Sequence, residues 1–174
     1  MRKILVSMTI GISLYANGIT LPDYFKANFT QMITNTKKKT ITYSGKVFFS
    51  TPSLMKWDYT RPTKKEVCTD GKELRVVDHD LEQVSTYLIS KGFNLNEIVK
   101  QAKEHKSNIY VAHYGGKSYT IQTDGKKRLQ SIAYYDDLDN KVQIVFKKIK
   151  YGKGALSRQS MTCTAPKEYD EIRG

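Results

Sequence analysis

Between Leu21 and Thr36, apolar side chains recur at spacings of three and four: Leu21, Phe25, Phe29, Met32 and Ile33. That period gives one apolar stripe on a helix. Thr20 with Asp23 three residues later reads as an N-terminal cap, Pro22 suits a first turn, and Lys37–Lys38–Lys39 closes the run. The pattern predicts a helix from about Pro22 to Thr36. Beyond it the period falls to two. Ile41, Tyr43, Val47 and Phe49 alternate with polar residues, and after Pro52 so do Met55, Trp57 and Tyr59. Further strands are predicted through Val67 and Cys68, through Leu74 and Val76 after an Asp70–Gly71 turn, and around Val84–Ile89. Asn94 and Glu97 open a second helix with Leu95, Ile98, Val99 and Ala102 on one face. Strands resume over residues 109–114, 118–123, 128–135 and 141–149, and a last one is expected through Met161 and Cys163 before Pro166. The sum is nine or ten strands joined by short turns, with two helices inserted.

Several strands carry large groups on both faces: Phe48 beside Phe49, Tyr134 beside Tyr135, and Val145 between Ile144 and Phe146. A single sheet this wide must curl, and two helices cover its concave side only in part. The expected class is mainly β (α+β): a curved antiparallel sheet forming an open half-barrel, with helices packed as a lid over the concave face.

With 174 residues, 39% apolar and 26% charged, the chain suits one ordinary domain. Its start is different. Arg2 and Lys3 precede an uncharged apolar stretch over residues 4–15, and small residues follow at Ala16 and Gly18. This reads as a signal peptide over residues 1–18, leaving a single domain over 19–174. Export bears on two further features. It permits a disulfide between Cys68 and Cys163, although two buried thiols fit the sequence equally well. It also removes nucleic acid as the target of 29 Lys+Arg set against 17 Asp+Glu. Many of the lysines alternate with apolar strand residues, as a solvated face does.

Chemistry-bearing motifs are scarce. His79, His105 and His113 sit in unrelated segments, and no metal-spaced cluster or CxxC is present. The GGKS at residues 115–118 lacks the first Gly of a phosphate loop and follows a strand as a hairpin turn. DDLDN at 136–140 lacks the Gly and terminal Glu of a calcium loop. No nucleophile–base pair stands out, so no catalytic residue, metal or cofactor is expected.

Four stretches in order resemble the LolA family of periplasmic outer-membrane lipoprotein carriers. FKANFTQ (25–31) is similar to its opening Phe-x-x-x-Phe-x-Gln pattern. GKVFFSTPSLMKWDYTRP (45–62) matches its most characteristic stretch, and TDGKELRVVDHDLEQV (69–84) its Asp-Gly-Lys turn and the segment that follows. DDLDNKVQIVF (136–146) fits as well. The resemblance implies an open half-barrel whose apolar cavity holds lipoprotein acyl chains. It implies as partners an inner-membrane ABC transporter of LolCDE type and an outer-membrane receptor of LolB type, with no cofactor and a monomeric carrier. It also supports Val47, Phe49, Met55, Trp57 and Tyr59 as cavity-facing, with Leu74 and Val76 on the strand after the Asp70–Gly71 turn. Phe25 and Phe29, on the expected first helix, would be lid residues.

The family's typical Arg before the first conserved Pro, associated with holding the lid shut, is Thr51 here. Lys56, Arg61 and Arg75 are candidates to replace it. Competing readings are an exported carrier of another lipid or glycolipid, a LolB-type receptor (which the missing lipobox Cys opposes), and an exported hydrolase or structural β-protein.

Overall fold

The computed structural model describes residues 18–89 and 92–173, so all of the expected leader except Gly18 lies outside the described residues. The elements in chain order are β1 (Tyr24–Thr34), β2 (Thr40–Ser50), β3 (Leu54–Arg61), β4 (Lys65–Thr69), β5 (Glu73–Asp78), β6 (Gln83–Leu88), α1 (Leu95–Lys100), β7 (Lys103–Lys106), β8 (Ile109–Tyr114), β9 (Lys117–Thr123), β10 (Leu129–Tyr135), β11 (Lys141–Gly152) and β12 (Asp170–Arg173). All twelve strands join one sheet in the order β12-β6-β5-β4-β3-β2-β1-β11-β10-β9-β8-β7. Every ladder is antiparallel except β12 beside β6. A sheet of this width curls rather than staying flat. The principal apolar cluster fills its concave side, from Phe25 and Phe49 through Trp57 to Ile121 and Ile132.

The first predicted helix is a strand. β1 lies at the centre of the sheet, paired with β2 and β11. Phe25 and Phe29 stand four apart, a spacing that serves a helix and a strand equally. The deciding positions lie between and beyond them: Ala27 is buried beside the two Phe, and Gln31 continues the same face. A small residue and a polar one at the alternate positions hid the period of two. Tertiary pairing on both edges then overrode the local helical pattern.

The second helix is present but short. Asn94 caps it, accepting the Glu97 N–H on Oδ1 at 3.2 Å, and Leu95 and Ile98 are its buried residues. Ala102 lies beyond its end.

The expected strand through Met161 and Cys163 is absent. A 3-10 turn at Arg158–Met161 leads instead to Cys163, which is disulfide-bonded to Cys68. Both Met161 and Cys163 are buried, because the chain after β11 runs as a strap against the convex side. Its anchors are Lys56 Nζ donating to the Thr162 carbonyl at 3.2 Å, Arg75 paired with Glu171 at 3.8 Å, and the β12–β6 ladder. Beneath it Cys68, Val77, Val84 and Cys163 form a second small core with Ala165 and Tyr169. This is why β4–β6 carry apolar residues on both faces.

Gly45 stands where β2 and β3 come closest. A Cβ built there would collide with the backbone carbonyl oxygen of Asp58, opposite a register irregularity in the ladder. Because the obstacle is backbone, it cannot rotate away. Gly45→Ala is expected to destabilise the fold by about 1–3 kcal/mol, as overpacking does. Equilibrium unfolding in urea checks this, and an unchanged midpoint would contradict it.

Candidate functional site

Three cross-strand rows run over the concave face. One joins Phe25, Phe49, Met55, Thr69 and Leu74, and the next Ala27, Val47, Trp57, Val67 and Val76. The third joins Phe29, Gly45, Tyr59, Lys65 and Asp78. Paired residues share a face, so all nine sequence-predicted site residues point to the concave side. They do not all reach free space. Phe25, Phe29, Val47, Phe49 and Met55 are almost wholly buried. Phe25 stacks on Phe49 with centroids 5.3 Å apart, and Phe29 meets Trp57 and Tyr59 edge-on at 4.9 and 5.0 Å. These residues are the floor.

Above the floor is a cavity of about 170 Å³ lined by Trp57, Tyr59 and Leu74 from the predicted set. Val76 is half-buried on the same face, next to the lining residue Val67. The sequence reading missed the rest of the lining: Gln31, Val67, Thr69, Ile89, Gly92, Phe93, Tyr134 and Ile144. The strand alternation at Ile144 and Tyr134 could have nominated those two. Ile89 stands at the end of a predicted strand, whereas Phe93 carries no strand or helix signal.

Ile89 and Phe93 owe their place to topology. β6 lies beside one edge of the sheet, whereas α1 packs on β8 near the other. Ile89, Gly92 and Phe93, which lie between them in sequence, all line the cavity on the concave side. Phe93 reaches an aromatic group on the far half, 6.1 Å from the Tyr119 ring and 6.2 Å from the Tyr134 ring. Aromatic pairs at such separations contribute on the order of 1 kcal/mol each.

Burial pushes the Tyr59 phenol well above the ordinary tyrosine range, and raises Tyr134 to about 12. Both are therefore neutral hydroxyls at any ordinary pH. Tyr59 Oη donates to Gln31 Oε1 at 2.9 Å.

None of the three candidates for the missing latch takes that place. Lys56 and Arg75 are on the convex side, held by the strap contacts described above, and Lys56 also pairs with Glu66 at 3.1 Å. Arg61 is exposed at the end of β3. Thr51 itself is exposed, and its backbone N–H donates to the Asp23 carbonyl at 2.8 Å. Strand alternation explains this, because Lys56 and Arg75 are one residue out of phase with Trp57 and Leu74.

The histidines lie apart. His79 contacts the Tyr169 hydroxyl at 3.2 Å, and His105 is exposed on β7. His113 lies 2.9 Å from Ser118 Oγ across the β8–β9 hairpin. That pair is exposed, with no carboxylate hydrogen-bonded to the imidazole among the described residues, and so lacks the third group that orients a base.

The sequence profile of the family described as Outer membrane lipoprotein carrier protein LolA matches residues 23–112. An outer-membrane lipoprotein carrier protein of Campylobacter jejuni is 35% identical over 150 residues, which is 86% of each chain. The chain belongs to the LolA family. A relative with the same description from Helicobacter hepaticus is 28% identical and covers 95% of this chain and 91% of its own. Among solved structures, an uncharacterized conserved protein from Thermus thermophilus superposes with a TM-score of 0.54 over 88% of this chain and 92% of its own. At 11% identity that likeness supports the fold alone. LolA membership agrees with the four sequence stretches singled out above, three of which lie inside the matched range.

Proposed function

We propose that this LolA-family chain is a periplasmic carrier that shelters lipoprotein acyl chains in its concave cavity. On this reading it receives them from an inner-membrane ABC transporter of LolCDE type and passes them to a LolB-type receptor at the outer membrane. Residues 1–18 would serve as its export signal, and the mature chain would act as a monomer without a cofactor. The observation that carries the reading is the hollow above a Phe–Trp–Tyr floor, lined on its other side by Ile89, Gly92 and Phe93.

Energetics require such a shelter. A triacylated anchor exposes on the order of 40 methylenes, and at ~0.8 kcal/mol each its exposure to water costs ~30 kcal/mol. Free diffusion between membranes is therefore negligible. Yet about 170 Å³ is close to the ~150 Å³ that suits a benzene-sized guest. Ligand pockets commonly enclose ~300–1,000 Å³. Loading must therefore displace Phe93 from Tyr119 and Tyr134. The contacts broken on loading are remade on release, which keeps binding reversible. Displacement falls on Phe93, since β1 is held by ladders on both edges.

Phe93→Ala removes the ring that competes with cargo, so it is expected to tighten binding of a fluorescent C16 fatty-acid probe about tenfold. Weaker binding would make Phe93 a cargo contact instead of a competitor. The carrier reading itself is tested by native mass spectrometry of protein expressed in a bacterial periplasm. Co-purified acylated lipoprotein is expected, and protein carrying only other lipids would favour the carrier of another lipid.

A further inference from the structure

The inward-facing positions of β1 run Phe25, Ala27, Phe29, Gln31 and Ile33, and Gln31 is the one polar amide among them. It does not stand alone. Tyr59 Oη donates to it at 2.9 Å, and Tyr43, paired with Gln31 across the β1–β2 ladder, meets the Tyr59 ring edge-on at 5.8 Å. Lys65, opposite Tyr59 on β4, lays its ammonium 4.8 Å from the Tyr59 ring centre and 5.1 Å from that of Tyr43. The cavity therefore has a polar end at Gln31 and Tyr59, with the Lys65 ammonium beside the Tyr59 ring. Its apolar end is at Val67, Leu74 and Phe93.

The polar end holds an excess of donors. The Tyr59–Gln31 bond uses one hydroxyl proton and the amide oxygen. The Gln31 amide keeps two N–H donors and Lys65 three. Among the described residues, the ion pairs formed involve other cations and leave Lys65 out. The carboxylate beside it on the same face, Asp78, has its Oδ1 occupied by the backbone N–H groups of Asp80 and Leu81, each at 3.1 Å. Donors withdrawn towards an apolar hollow cost stability unless they meet acceptors; the Gln31 amide lines the cavity and Lys65 adjoins it through the Tyr59 ring. An acyl chain lying along the apolar end finishes in a carbonyl oxygen, an acceptor of the right kind.

We infer that Gln31 and Lys65, with Tyr59 holding the Gln31 amide in place, form a collar that receives the ester and amide carbonyl oxygens at the head of an acylated anchor, setting how deep its chains enter. The inference rests on the carrier reading and goes beyond it, assigning the polar part of the ligand to particular donors. Tyr59 suits its part because its buried phenol keeps the proton that occupies Gln31 Oε1, which leaves the amide N–H groups for the ligand. Lys65 suits the collar because an ammonium on a flexible stem can follow an oxygen whose position varies between cargoes.

The test compares two synthetic probes on the full chain. One is a dipalmitoyl-glyceryl-cysteine lipopeptide with ester linkages, the other its dihexadecyl ether analogue, which has the same chains without the ester carbonyls. Both are measured by displacement of a fluorescent fatty acid. The wild-type chain is expected to bind the ester probe about tenfold more tightly, as one or two net hydrogen bonds allow. Lys65→Met and Tyr59→Phe should each bring the ester-to-ether ratio close to one. Because each variant is judged by its own ratio, a general loss of folding affects both arms alike. Equal binding of the two probes by the wild type, or an unchanged ratio in both variants, overturns the collar and leaves the carrier reading standing. Failure of the wild type to bind either probe overturns both. A tenfold preference for dipalmitoylphosphatidylglycerol over the ester lipopeptide would assign Lys65 to phosphate and overturn the inference.

Discussion

Cys163→Ser is expected to lower the unfolding free energy by about 3–5 kcal/mol. The Cys68–Cys163 bond joins residues 95 apart in the sequence, and closing so long a loop restricts the unfolded chain strongly. In the native state the same bond holds the C-terminal strap. The other anchors are weak: a half-exposed ion pair between Arg75 and Glu171, one lysine–carbonyl bond, and a four-residue parallel ladder. Without the disulfide, Val77 and Val84 would lose much of their cover. Denaturant titration with and without reductant measures the effect. Cys68→Ser should match Cys163→Ser, and the double variant should be no less stable than either, because the two sulfurs act as one unit. A wild-type transition that reductant leaves unmoved would refute this account.

Phe29→Ala should cost about 3–5 kcal/mol, as truncation of a buried aromatic in a packed core does. Phe29 is 2% exposed and supports both Trp57 and Tyr59 edge-on, so its loss leaves the cavity floor without a prop. Thermal or urea unfolding gives the stability term. Phe29→Leu should recover more than half of it, because the site then loses fewer contacts. A loss below about 1 kcal/mol for Phe29→Ala would mean that the floor collapses freely around the gap. The result also separates two roles for this residue. On a mobile helix Phe29 could be truncated at little cost to stability, whereas on a central strand paired on both edges it cannot.

Local pattern determined a good deal of this protein. The alternation at Met55–Trp57–Tyr59, the Asp70–Gly71 turn and the Asn94 cap each specify their element within a few residues, because each depends on neighbours close in the chain. The four family-like stretches likewise sufficed for membership. What local pattern could not decide was whatever depended on partners distant in sequence. The segment through Phe25 and Phe29 satisfies two periods, and only the β2 and β11 edges choose between them. Met161 and Cys163 alternate like a strand, yet they face a convex surface built almost a hundred residues earlier. Phe93 has no periodic signal at all; packing against Tyr119 and Tyr134, from strands later in the chain, makes it part of the cavity wall. Hydrophobic period reports which residues avoid water, whereas sheet order and register decide which of them meet.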